Sequence, residues 1–350
     1  MRTAISLTLC WRVLGIGCMV AGNLALAPAA ATSPDSTAVL RQSIAIPSET
    51  PYDRALDAIA LREYSQSLNL LRIASAAGDV RADLLLADQL ERGLGLPANA
   101  AEARRSYERA AARGSNAARA VLAVTQIRSG GAKPAAAQAQ ATLKSLAERG
   151  EPVAQRELGV LLLEGRLLQG DMEQAVGWLH RAAQAGDARA QAVYGELFLL
   201  GRGVNVHEPT AIDWLKKAAQ KDEPLAQYLL GKVFRDGRAV EQDVIEGAYW
   251  LDLAATQGWT AAQWALAQLY GKGGALRTDP QQSRRWLLAA ARGGHAEAQL
   301  RLGIALTEQG SSVQDRAEGQ RWLQQAALQG QKEAQQFLNG LEPLNTGSRK

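Results

Sequence analysis

The side chains able to do chemistry in this 350-residue chain are few and scattered. Three histidines, His180, His207 and His295, lack a histidine or cysteine partner at metal-holding spacings such as HxxxH or HExxH. The two cysteines, Cys10 and Cys18, both lie near the start. GRG at 201–203 and GKGG at 271–274 look like phosphate-cradling loops, but no strand precedes either and a helical pattern follows both, so they read as turns. Carboxylates are spread over helix faces and caps, and no nucleophile, base and oxyanion donor come together. The pattern therefore assigns no catalytic residue, no metal ligand and no cofactor.

What recurs instead is a phrase. Trp178, Trp214, Trp250, Trp286 and Trp322 are each 36 residues apart, in WLHRAAQAGDARAQ, WLKKAAQKDEPLAQ, WLDLAATQGWTAAQ, WLLAAARGGHAEAQ and WLQQAALQGQKEAQ. The same grid extends upstream. Gly78, Gly114, Gly150, Gly186, Gly258, Gly294 and Gly330 fill one column, broken by Asp222, and Ala82 to Ala334 fill another without exception. A third column holds leucine from Leu86 to Leu338 except at Tyr194.

Each unit reads as two short amphipathic helices. Ala190, Tyr194, Leu197 and Phe198 share one helical face, and Ala175, Trp178, Leu179, Ala182 and Ala183 another. Capping boxes are expected at Asp171 with Gln174, Asp243 with Glu246 and Asp315 with Glu318, and Pro209 and Pro280 suit the first helical position. The column glycines end the second helices in the left-handed conformation. Asp222 should adopt that conformation at a cost of ~1 kcal/mol. Column alanines allow close helix approach, and the column tryptophans are expected in the core.

Composition agrees with an elongated helical array. The chain exceeds one ordinary core, aromatics are 5% of it and alanine is abundant. A formal charge of +4 falls to about +2 without Arg2 and Arg12, and no basic block marks a nucleic-acid footprint. Residues 1–31 read as a signal peptide: two arginines, an apolar run at 13–27 and a small-residue site ending at Ala31. An uncleaved anchor and a lipid-modified Cys18 are the alternatives, although the run is short for a membrane span. A processed chain has no cysteine, no disulfide and no membrane span. Residues 32–51 read as a flexible leader, 52–78 as a starting helix pair, 79–341 as the array and 342–350 as a polar tail.

The pattern AxAQxxLGxLYxxGxGVxxDxxxAxxWLxxAAxxG resembles the Sel-one-like repeat, a relative of the tetratricopeptide repeat. The segments beginning at Ala188 and Pro224 match it best, and the grid covers about three quarters of the chain. Leu70, Ser106 and Thr142 depart from the tryptophan column, and the loop near 127–133 departs from the pattern. The resemblance implies an all-α, right-handed α/α superhelical solenoid whose first helices line a concave surface. It also implies a scaffold or adaptor, which the leader places in the periplasm or outside the cell, with one or more envelope proteins as its expected partners. Glycan binding or hydrolysis is the alternative function, recognisable by two carboxylates facing each other across the groove. Off the tryptophan grid stand Trp259, at a helix start where other units hold Asp187, Glu223 and His295, and Trp264, in the place of Tyr228 and Leu300. Variable places are expected at the surface, which makes Tyr228, Trp259, Trp264 and Leu300 the candidate partner-binding residues.

Cleavage of the leader should give an N-terminus close to Thr32 in mass spectrometry of the cell-envelope fraction. Intact Met1 in a membrane pellet would instead establish the anchor.

Overall fold

Alternating apolar faces of about a dozen residues, broken by glycine, turn into paired helices throughout the computed structural model, which describes residues 50–130, 133–165, 172–309 and 312–341. The expected signal peptide, the expected leader up to residue 49, the cap expected at Asp171 and the expected polar tail lie outside the described residues. The last two residues assigned to the leader instead start the first helix, Thr50 as its cap and Pro51 as its first residue. Among the described residues there is no strand, and no helix is long and apolar enough to cross a membrane.

A starting pair, α1 (Pro51–Ala60) and α2 (Tyr64–Ala76), precedes seven two-helix units. These are α3 (Val80–Arg92) with α4 (Ala100–Ala112), α5 (Asn116–Arg128) with α6 (Lys133–Glu148), and α7 (Pro152–Glu164) with α8 (Met172–Gln184). They continue as α9 (Ala188–Leu200) with α10 (Glu208–Ala219), α11 (Pro224–Asp236) with α12 (Val244–Thr256), and α13 (Thr260–Lys272) with α14 (Pro280–Arg292). The seventh unit is α15 (Ala296–Gln309) with α16 (Val313–Leu328), and α17 (Lys332–Gly340) closes the array. Each helix packs on its sequence neighbours, and first helices of successive units also touch, as α5 does α7 and α9 does α11. The result is an α/α superhelical solenoid, built by nearest-neighbour stacking.

The helix ends follow from their residues. Every column glycine from Gly78 to Gly330 has a positive φ, and Asp222 shares it at φ 58°. Asp243 caps α12 by accepting from the backbone N–H of Ile245 and Glu246. Two expected starts shift by a residue or more. The seventh unit's second helix is capped by Ser312, with Asp315 as the third helical residue of its box, and Pro209 stands second in α10 behind the cap of His207. In both cases another acceptor, a hydroxyl or an imidazole nitrogen, stands upstream and takes the first amides.

The deepest column is leucine rather than tryptophan. Leu143, Leu179, Leu215, Leu251 and Leu323, each one residue past the tryptophan place, are fully buried. Glycine in the facing first helix makes that possible. A Cβ on Gly231 would lie 2.6 Å from Leu251 Cγ, and one on Gly159 or Gly303 would lie 2.7 Å from the leucine opposite. Trp286 is buried, whereas Trp178, Trp214, Trp250 and Trp322 are half-buried, which corrects the expectation of a tryptophan core. Each indole bridges a seam: Trp214 packs on a cluster formed by Leu179 and Ala183 of the preceding unit and Tyr194 of its own. Its outer face is covered by Lys217 at 4.2 Å, as Trp178 is by Arg181 at 4.7 Å.

A buried amide completes five of the seams. Gln155, Gln191, Gln227, Gln263 and Gln299 donate from Nε2 to the carbonyl oxygen eight residues earlier, at 3.0–3.4 Å, which ties each first helix to the end of the helix before it. At the same place near the start, Asp83 is fully buried and accepts from Ser75 Oγ at 2.6 Å and Arg109 Nε at 3.0 Å, with Arg113 as a further partner. The residue changes from donor to acceptor, and its partner eight residues earlier changes with it. A buried polar group must be paired wherever it stands.

Gly231→Ala is expected to destabilise by ~1–2 kcal/mol despite the better helix propensity of alanine, because the methyl strikes a leucine that cannot retreat. Gly177→Ala in α8 is the control: nothing lies within 4 Å of its Cβ position, so it should stabilise by ~1 kcal/mol. Chemical denaturation of the two variants checks both signs.

Candidate functional site

Because first helices face inward, their outer residues meet across the axis of the superhelix. A cavity of about 710 Å³ is lined by residues of five consecutive units, from Asp88, Glu91 and Arg92 of α3 to Gln257, Gly258 and Trp259 after α12. Its wall is charged in both signs. Arg156, half-buried, pairs with Asp187 at 2.7 Å and Glu157 at 2.8 Å, and Arg92 pairs with Asp88 at 3.1 Å. Arg189 is exposed and makes no hydrogen bond or ion pair among the described residues.

Two carboxyls on this wall are less acidic than usual. Desolvation pushes Glu223 up, against the pull of Arg189 and Arg92. It also pushes Glu91 up, against the hydrogen bond that Tyr107 donates at 3.1 Å. Burial beside Glu91 in turn holds the Tyr107 phenol above its ordinary range. No group of three histidine, cysteine or acidic residues among the described residues could hold a metal ion.

The four candidate residues divide. Tyr228 and Trp259 come together, with ring centroids 6.2 Å apart, and Trp259 lines one end of the groove. Trp264 is half-buried and stacks at 5.5 Å on His295, which caps the first helix of the next unit. It also packs against the cluster that joins its unit to the next. Leu300 is fully buried, and the expectation that it extends a row along the groove is overturned. A side chain turned away from its own partner helix meets the next unit's first helix, so a variable place is not necessarily a surface place. His180, at a variable place held by Lys216 and Asp252 in the next two units, is likewise half-buried and stacks on Tyr194 at 5.1 Å. Sequence reasoning missed the charged wall, because Asp88, Arg156, Arg189 and Glu223 occupy different columns and are gathered only by the superhelix. The glutamine column, by contrast, lies on the same 36-residue grid and was visible there.

Comparison with known proteins agrees with this architecture. The Sel1 repeat model matches residues 80–115 and then 152–187, 188–223, 224–259, 260–295 and 296–331 without a gap between them. The unit at 116–151 is unmatched, although it folds as α5 and α6. A Sel1 repeat protein from Oxalobacter formigenes is similar at 27% identity and TM-score 0.57, over 89% of this chain and 92% of that one. A protective antigen of uropathogenic Escherichia coli strains, displaying an SLR fold, is similar at 29% identity and TM-score 0.52, over 80% of this chain. The chain spans 60% of the length of that antigen. No curated protein matches the sequence.

Glu223→Gln tests the wall by pH. Since folding raises this pKa, the charged form opposes folding above the folded-state pKa and the opposition vanishes below the unfolded value of about 4.3. The variant should melt above the parent at neutral pH, and the two should converge as pH falls toward 4. A melting difference independent of pH would show that Glu223 is not desolvated.

Proposed function

The chain belongs to the Sel1 repeat family, and from that premise we propose that it is an exported scaffold, periplasmic or secreted, which holds a segment of an envelope protein in its concave groove. Sel1 repeat proteins mediate protein–protein interactions. The observation that carries the reading is the single cavity walled by five consecutive units, with acids and arginines side by side and Trp259 at one end. A polypeptide segment carrying charges of both signs suits such a wall, since each residue of it finds an opposite charge or an aromatic face. The export part of the proposal rests on the leader sequence alone.

One observation favours the glycan alternative. Glu91 and Glu223 share the cavity, and both carboxyls are held above the usual range. Glycan turnover abolished by Glu223→Gln would establish that reading.

Proximity labelling from the exported protein identifies the partner, and Arg189→Glu then tests the groove. The variant should weaken capture of the labelled partner about tenfold or more, equivalent to ~1.4 kcal/mol, with its helical signal retained, because Arg189 is exposed and makes no hydrogen bond or ion pair among the described residues. Trp264→Ala should do the reverse, losing about 2 kcal/mol or more of stability. Undiminished capture by Arg189→Glu would move the binding surface out of the groove.

A further inference from the structure

The superhelix meets itself. Arg62, in the turn between α1 and α2, hydrogen-bonds Thr256 Oγ1 at the end of α12, 194 residues later. Arg92 Nη2, at the end of α3, donates to Gln257 Oε1 at 2.5 Å, 165 residues later. Gln257 passes the bond on, donating to Gln227 Oε1 at 2.7 Å, and Gln227 belongs to the buried column that stacks the units. Five units therefore make about one turn, and these side chains fasten the turn shut.

The fastening is polar and local. The apolar cluster of the first helices runs from Ala55 to Ala118, and that of α12 to α14 begins at Ala248; among the described residues no buried cluster has members on both sides. Arg62 holds its place with φ 61°, a left-handed conformation that glycine adopts freely and arginine does not. Its amide donates to Ile59 O at 2.9 Å, and that of Glu63 to Ala58 O at 2.8 Å, so the turn itself needs a backbone but not this side chain. A strained residue kept where its guanidinium reaches across the axis points to a role for the guanidinium. The acids nearby are Asp88, which shares Arg92, Glu223, which feels Arg92, Asp252, which feels Arg62 and Arg285, and Asp222, which acts with both arginines on Tyr64.

We propose that Arg62 and Arg92 form a releasable clasp that closes the superhelix around its groove. A solenoid is held by nearest-neighbour contacts, so small rotations at each of five seams add up to a wide opening at the clasp without unfolding any unit. Opening admits a segment from the side, and closing wraps it. That consequence rests on the groove-binding reading, whereas the clasp itself does not.

The test uses the full chain with Cys10→Ser and Cys18→Ser, spin-labelled at Gln66→Cys and Arg292→Cys, two exposed places on either side of the closure. Electron–electron distance measurement should give one narrow distance in this background. Adding Arg62→Gly with Arg92→Gln should produce a second, longer population while the helical signal is retained. Thr256→Val, which removes a clasp acceptor and leaves both arginines, should move the distances the same way in a chain that melts like the parent. A single unchanged distance in all variants overturns the proposal and shows that unit stacking alone sets the closure. Separation of the labels with unaltered capture of the partner leaves the clasp standing and removes the groove as the binding site.

Discussion

Everything in this fold depends on how closely a first helix approaches its second. Glycine at 159, 195, 231 and 303 lets Leu179, Leu215, Leu251 and Leu323 seat against bare backbone, and those leucines are fully buried. The approach brings the tryptophan one residue earlier to the seam, where it packs against the preceding unit as well as its own. Close packing within a pair thus sets the contact between pairs. Dense interiors tolerate little change in volume, so the same spacing propagates from unit to unit.

The seams are polar where helices end and apolar where they cross. From the third unit to the seventh, a glutamine side chain spans from the first helix to the last carbonyls of the helix before it, replacing an interaction that water would otherwise supply. Near the start, Asp83 with two arginines does the same work with the opposite hydrogen-bonding sense. Charge at that place is stable only because both guanidinia converge on it. The array therefore keeps its register by pairing as well as by packing.

Repetition of one seam bends the stack, and the bend makes the groove. Inward-facing residues from five units, unremarkable on their own helices, crowd into one cavity and lose water. Their ionisation changes as a result: Glu223 is pushed up by desolvation even though Arg189 and Arg92 oppose the shift. No local stretch of chain contains that environment. The same curvature brings Arg62 to Thr256 and turns an open trough into an enclosed one.

The amino-acid sequence by itself determined the helices, their ends and their stacking order, because each depends on residues within one 36-residue period. Asp222 in the left-handed conformation and the leucine and alanine columns were all legible for that reason. Burial at variable places was not. Trp264, Leu300 and His180 stand where types change from unit to unit, and each change is matched by a neighbour, His295 for Trp264 and Tyr194 for His180. Helical phase fixes which way a side chain points but not what stands there. The cavity wall and the Arg92–Gln257 contact were decided only by tertiary structure, since the sum of small rotations over five seams sets which residues face each other, and no single period of the sequence encodes that sum.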